Sequence, residues 1–492
     1  MIKLVLVNIT KDTECPPLNL AYLATYLKKQ LKDKIKIKVV DINFENPLEK
    51  ILQLKPDIIG ISSMTVRYNY ANKLAKQVKR NLKVPIIIGG VHVSTCPESF
   101  SEFFDIGIAG EGEETTLELM KLFIKHKSFS PKYLQNIKGI IFWQNGKILK
   151  TEKRGLIDLD KLPIPNRKFL DKRYFLPKVS YNKIRGKRVI EAGMLTSRGC
   201  PYRCVFCSTS LFWNRVRFHS SERVAKEIGY LTKEFGVNYI VMYDDFFAIT
   251  EERAQSIYDA MKKLGLIGRV NIACSLRANV VTDNLCRILK DMGVVTVNFG
   301  FESGSDRILR YLKAESVTVE QNKKAVILCR KYGFDVTGSF IVGSPGEKIE
   351  DMRKTLELIK WMNKQGAIEL WCGVAKPYPS TQLWNYGVKN KIIDKNFKWD
   401  LVDPSYIHNP VFLDKSISKK EFFRIFKEIK RQSFNTSLCK KENSLLRELK
   451  DIFYYNTFLN NIGRATIRAL PRPATRLIAK ALKTDESSLG ID

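Results

Sequence analysis

The chain has 492 residues, of which 44% are hydrophobic and 11% aromatic. That is enough for two or three buried cores, and it excludes a disordered or low-complexity polypeptide. Lysine and arginine total 83 against 51 acids, a net charge of +32; the surplus suits an anionic partner or surface, but it is spread along the whole chain and selects none.

Residues 1–128 alternate short β-rich runs with amphipathic helical patterns. Lys3 to Ile9, Ile35 to Val40, Asp57 to Ile61, Val84 to Ile88 and Asp105 to Ala109 read as strands, with helices over Leu18 to Leu31 and Asn69 to Leu82 between them. This rhythm predicts a parallel, doubly wound α/β sheet whose ligand sits at the carboxyl ends of the strands. Those ends carry Ser62-Ser63-Met64-Thr65, Gly89-Gly90-Val91-His92 and Gly110-Glu111-Gly112-Glu113. Small residues there let a flat ligand approach the backbone.

Residues 129–188 lose the rhythm. Ile137 to Phe142 and Lys147 to Thr151 flank Asn145-Gly146, a hairpin signal, and Leu162-Pro163-Ile164-Pro165-Asn166 reads as a connection between domains.

From 189 to 380 six strand patterns recur with helices between them: Val189 to Leu195, Tyr239 to Tyr243, Val270 to Ser275, Thr296 to Phe301, Asp335 to Val342 and Ala367 to Ala375. Six β/α units predict a partial, open parallel barrel with its chemistry on the loops at the strand carboxyl ends. After the first strand comes Thr196-Ser-Arg-Gly-Cys200-Pro-Tyr-Arg-Cys204-Val-Phe-Cys207. Gly199 and Pro201 turn the chain there, so three thiolates converge from one short loop on a single metal centre. An iron–sulfur cubane normally takes four thiolates, and Cys96 and Cys274 lie far off in sequence, so one iron is left open. A zinc site would ask for paired C-x-x-C units or added histidines, and none stands nearby. The remaining cysteines, of ten in all, show no pairing rhythm, and no window approaches the ~18 apolar residues that span a bilayer. A cytoplasmic protein is expected.

The spacing Cys200-x-x-x-Cys204-x-x-Cys207, with Phe206 before the last cysteine, resembles the signature of radical S-adenosylmethionine enzymes. The resemblance implies a [4Fe-4S] cluster on these cysteines, with S-adenosylmethionine chelating the open iron and cleaved to a 5′-deoxyadenosyl radical. An external electron donor is implied with it. By the same resemblance the later barrel loops hold the S-adenosylmethionine. Asp244 or Asp245 would receive its ammonium, Arg277 its carboxylate, and Glu302 and Ser303 its ribose or methionine polar groups, while Gly343 admits the adenine.

The N-terminal domain, taken with the cysteine loop, resembles the cobalamin-binding domain of one large subgroup of that superfamily. Ser62, Ser63, Gly89, Gly90, His92, Gly110 and Glu111 then fall around the cobalamin. The Asp-x-His-x-x-Gly loop that brings a histidine to cobalt in many cobalamin proteins is missing, since the loop after the first strand reads Asn8-Ile-Thr-Lys-Asp-Thr-Glu-Cys-Pro-Pro17. Cobalamin without a protein histidine on cobalt is therefore implied. The subgroup's logic points to a methyltransferase acting on an unactivated carbon, with methylcobalamin delivering the methyl group. Its rivals are a cyclisation, rearrangement or oxidation without methyl transfer, a radical enzyme with an empty N-terminal domain, and a non-catalytic nucleic-acid-binding zinc protein. The last is suggested by charge alone, without an aromatic-rich binding motif, so nucleic acid is not the expected partner.

Residues 381–492 form a mixed, mostly helical extension, including an apolar helical period over Ser416 to Ser433. In the resembling enzymes such extensions cover the barrel mouth. Near the end Arg464, Arg468, Arg472, Arg476 and Lys480 recur every fourth residue, although Pro471 and Pro473 interrupt the pattern. A solvated face accounts for that stripe. A contact with an anionic membrane surface, and with it a lipid or isoprenoid among small-molecule substrates, is the second expectation.

Overall fold

The computed structural model describes residues 1–180, 187–213, 215–394, 397–403, 410–414 and 416–433. The basic stripe from Arg464 to Lys480 lies outside them.

Strands β1 (Ile2–Asn8), β2 (Ile35–Asp41), β3 (Ile58–Ser62), β4 (Ile86–Gly89) and β5 (Ile106–Ile108) form a parallel sheet in the order β2-β1-β3-β4-β5. Their aliphatic runs are buried on both faces, as a parallel sheet requires. Leu4 and Leu6 pack with the helix Leu18–Leu31, while Val5 and Val7 pack with the helix Tyr68–Asn81. In this order the direction in which strands are added reverses between β1 and β3, and ligands of doubly wound sheets sit at that crevice. The expected hairpin forms as β6 (Ile140–Gln144) and β7 (Lys147–Lys150), with Asn145 and Gly146 at φ 51° and 73°. It was read as part of the interdomain connection; instead β6 pairs antiparallel with β5 and extends the first sheet. A purely local turn signal says nothing about which edge a hairpin joins.

The connection is pinned at both sides. Tyr174 donates to Asp41 Oδ2 at 2.7 Å in the first domain. Arg167 reaches the second, donating to Glu227 at 2.7 Å and to the Gly193 carbonyl at 2.9 Å, all in a buried setting.

The second domain is the expected open barrel. Strands β8 (Glu191–Met194), β9 (Tyr239–Met242), β10 (Asn271–Leu276), β11 (Val294–Glu302), β12 (Asp335–Val342) and β13 (Glu369–Val374) pair in sequence order, all parallel. Ser220, Thr250, Thr282 and Thr318 each cap the helix that follows by accepting a backbone N–H. These repeated caps punctuate the β/α units. Helix Lys419–Ser433 packs against β13 and the helix Ile349–Lys364, with Phe422 and Phe426 buried. Among the described residues no helix is long and apolar enough to cross a membrane.

Candidate active site

The cysteine loop is closed at its base by a two-residue antiparallel ladder, Ser197–Arg198 against Arg217–Phe218. Gly199 has φ 97°, and a Cβ there would lie 2.5 Å from the Arg215 carbonyl oxygen, so only glycine fits the turn. Val205 anchors the middle: its N–H donates to the Leu312 carbonyl at 3.1 Å, and its carbonyl accepts from the Leu383 N–H at 3.2 Å. Cys200, Cys204 and Cys207 are half-buried. Burial pushes the Cys200 and Cys207 thiols up, so thiolates there need cationic partners. Bound iron is such a partner. Among the described residues no three His, Cys, Asp or Glu side chains converge on one metal ion. Zinc would need its sulfurs ~2.3 Å from a common centre. A four-iron cluster takes each thiolate on a different iron, so it fits sulfurs set around a space rather than at a point.

Arg277 follows β10 and borders this loop. Its Nη1 donates to Cys204 Sγ at 3.3 Å, and its Nη2 donates to the Lys313 carbonyl at 3.2 Å and to Ser316. The guanidinium lies 3.7 Å from the Tyr202 ring centroid. Glu302, at the end of β11 with φ 61°, folds back over Gly300 and pairs with Lys313 at 3.1 Å. Cys204 and Arg277 are therefore brought together, while Glu302 is held by the Lys313 side chain.

The two acids after β9 divide their work. Asp244 is buried and accepts from the Thr196 N–H at 3.0 Å and from the Ser197 hydroxyl at 2.5 Å. Burial pushes it up to about 6, against those hydrogen bonds. It holds the start of the cysteine loop. Asp245 is exposed, accepts from Thr209 at 2.9 Å and stands beside Cys200 and Cys207, so it is the acid open to a ligand.

Two further expected residues face elsewhere. Ser303 is fully buried and accepts from the Ser305 N–H at 3.1 Å, shaping a turn. Gly343 has φ 79°, but Phe422 and Val374 already fill the space beside it, each 3.2 Å from where a Cβ would stand. Its N–H donates to Glu347 at 2.6 Å, a carboxyl that burial pushes up to about 7.

Between the domains lies a cavity of about 650 Å³. Asn8, Ser62, Ser63, Gly89, Gly90, Gly110 and Glu111 line it from the first sheet, and Ser208, Thr209, Phe212, Trp213 and Tyr243 from the barrel. Gly90 has φ 108°, and a Cβ there would sit 2.4 Å from the Ser63 carbonyl oxygen. The Tyr22 hydroxyl and Thr116 Oγ1 also belong to this wall, and both are buried without a hydrogen-bond partner. Bare backbone at the strand ends plus unpartnered polar atoms is a cradle that fits a flat, amide-fringed ligand such as cobalamin.

His92, expected either to face the ligand or to cap the turn, points away from the cavity. It is fully buried, its Nδ1 lies 3.2 Å from Thr65 Oγ1, its Nε2 lies 2.9 Å from Ser99 Oγ, and its ring packs at a tilt on Tyr68 and edge-on against Trp399. Burial lowers it to about 3. Glycine at 90 turns the following residue into a short helix, Val91–Thr95, which carries His92 inward.

Several residues here escaped the sequence reading. Arg198 donates to Glu111 and Glu113 at 2.6 Å each, and Arg217 grips Glu111 with two bonds of 3.0 Å. Burial works against the Glu113 carboxylate, but the Arg198 guanidinium prevails and holds it below the usual range. The Cys15 thiol donates to the Tyr243 hydroxyl at 3.2 Å across the domain boundary. Glu111 was expected at this rim, though not as an ion-pair partner; of the others, the position of Arg198 inside the cysteine stretch and that of Glu113 in the strand-end motif were the available signals.

Two parts of the chain match known families: residues 4–120 the B12 binding domain, and residues 194–359 the radical SAM superfamily. An uncharacterised methyltransferase of Pyrococcus horikoshii is 34% identical over 401 residues, covering 80% of this chain and 83% of that one. The anaerobic magnesium-protoporphyrin IX monomethyl ester cyclase of Rubrivivax gelatinosus is 28% identical over 429 residues, 83% and 74% of the two chains. In fold, the radical S-adenosylmethionine methyltransferase TsrM of Kitasatospora setae, solved with cobalamin and a [4Fe-4S] cluster, superposes with a TM-score of 0.66 at 17% identity over 87% of this chain and 84% of that one.

The chain is an enzyme built as a B12-binding domain followed by a radical barrel. It belongs to the radical S-adenosylmethionine superfamily, in its cobalamin-binding branch. The cofactors of those domains are a [4Fe-4S] cluster, S-adenosylmethionine and cobalamin.

Proposed function

We propose that this enzyme transfers a methyl group to an unactivated carbon of a small molecule. The observation that carries the reading is the shared cavity: strand ends of the B12-binding domain and the residues just after Cys207 line one enclosure. When bound, the cluster and S-adenosylmethionine supply a carbon-centred radical, and the corrin supplies a methyl carrier. The chain's own residues do the rest. Cys200, Cys204 and Cys207 hold the cluster. Arg277 places a fixed positive charge beside Cys204, suited to a carboxylate, while Asp245 offers an exposed acid for an ammonium. Ser62, Ser63, Gly89, Gly90 and Gly110 present backbone and small polar groups to the corrin, while the expected Glu111 lines the same wall with its carboxylate taken up by Arg198 and Arg217. The apolar wall of Phe212, Trp213 and Leu195 keeps water from the reacting centres.

A second cavity, of about 500 Å³, lies inside the barrel and shares Tyr243 with the first. Tyr239, Ser275, Thr296, Asn298, Thr337 and Glu369 line it, with no lysine or arginine among its lining residues. A compact, hydrogen-bonding substrate suits that space better than a lipid or isoprenoid. The lipid alternative rests on the stripe from Arg464 to Lys480 and requires a chain ending near Asn460 to lose liposome binding.

The test uses S-adenosylmethionine labelled in its methyl group. Label recovered first on the corrin and then in a product supports methyl transfer. Formation of 5′-deoxyadenosine with unlabelled product favours a ring closure or oxidation, the reading that the similarity to the cyclase supports.

A further inference from the structure

Both ends of the cysteine loop are tied to one stretch of the B12-binding domain. Arg198 enters the loop and Arg217 leaves it, and the two face each other across the short ladder at its base. Arg198 spans Glu111 and Glu113, while Arg217 takes Glu111 through two bonds and adds one to the Ile157 carbonyl. All four side chains are between 5% and 10% exposed. Trp213 lies 5.5 and 5.7 Å from the two guanidiniums and also lines the interdomain cavity.

A buried set of ion pairs is a costly way to gain stability, because desolvation offsets most of the attraction. What it fixes is geometry. Glu111 lies in the turn that rims the cavity, and Glu113 opens the helix Glu113–His126 behind it. The contacts of Arg198 and Arg217 thus join that rim to both ends of the loop holding Cys200, Cys204 and Cys207. We propose that the quartet of Arg198, Arg217, Glu111 and Glu113 couples the two cofactor sites, so that cobalamin in the cavity and a cluster on the loop stabilise each other. This rests on the reading that both are bound. Arg217 is the positioning residue that separates coupling from contact, since it does not line the cavity. Coupling between binding sites is reciprocal, so it can be read from either side.

The experiment titrates hydroxocobalamin into the full chain with and without a reconstituted cluster and follows the corrin spectrum. The ratio of the two dissociation constants is the coupling factor. In the native chain we expect tighter binding with the cluster, on the order of tenfold. In Arg217→Gln the factor should fall to near one, while iron content and cobalamin binding by themselves persist. Arg217→Lys keeps the charge without the two parallel bonds and should fall between. An unchanged factor in Arg217→Gln, or a factor of one in the native chain, overturns the coupling alone. Should Arg217→Gln not fold, Arg217→Lys carries the test alone, and a factor in it equal to the native one overturns the coupling. A native chain that takes no cobalamin defeats the proposed function and the coupling together.

Discussion

Arg217 holds Glu111 through two bonds of 3.0 Å, one from each terminal nitrogen to each carboxylate oxygen, across 106 residues of chain. Removing the carboxylate leaves two guanidiniums, Arg198 and Arg217, short of a partner in a setting almost closed to water. Glu111→Ala should destabilise the cofactor-free protein by about 3–5 kcal/mol, the usual cost of breaking a buried pair. Urea unfolding reads this directly. A loss under 1 kcal/mol would mean that water reaches the pair.

Gly90 tests the corrin cradle. In Gly90→Ala the new methyl would press on the Ser63 carbonyl from a backbone with φ 108°. Backbone strain of this kind costs on the order of 1–3 kcal/mol. The variant should also bind cobalamin more weakly while keeping its iron. Unaltered cobalamin binding would place the corrin elsewhere.

Stability should fall in mild acid. An unfolded histidine takes up a proton near 6.5, but burial keeps His92 and His219 neutral until about 3. Between those values the unfolded state binds more protons, so stability drops as pH falls through that window, by up to about 1.4 kcal/mol per pH unit for each histidine. Above 6.5 the effect is absent. His92→Gln should narrow the gap between melting temperatures at pH 8 and pH 5. An equal gap would show that His92 is protonated in the native fold.

Arg277 should matter to S-adenosylmethionine rather than to the cluster. Arg277→Met keeps the apolar stem over Tyr202 and removes the charge beside Cys204. Iron should remain, while S-adenosylmethionine affinity falls by about tenfold to a hundredfold, the worth of hydrogen bonds to a charged group. The change that S-adenosylmethionine induces in the electron paramagnetic resonance spectrum of the reduced cluster provides the titration. Full affinity in the variant would remove Arg277 from the site.

Much of this was legible in the sequence, for physical reasons. Strand and helix periods are local, so both parallel sheets could be read from runs such as Lys3 to Ile9 and Asp335 to Val342. The cysteine loop was legible because its three ligands lie within one turn-rich stretch. Side-chain direction was not. His92 sits next to the cavity in sequence, yet the turn at Gly90 buries it among Tyr68, Thr65 and Ser99. Ser303 looked like a binding hydroxyl and is a turn-former. The choice between Asp244 and Asp245 needed the fold, because it depends on which carboxylate the Thr196 and Ser197 donors occupy. Long-range pairs such as Arg198 with Glu113 leave no spacing for a sequence to display.

The most direct test of the account is anaerobic reconstitution with iron, sulfide and hydroxocobalamin, followed by metal analysis and a visible spectrum of the desalted protein. About four irons and one cobalt per chain are expected, with the iron lost and the cobalt kept in Cys204→Ala. Iron without cobalt would contradict the methyl-carrier role of the first domain, and zinc without iron would contradict the radical chemistry itself.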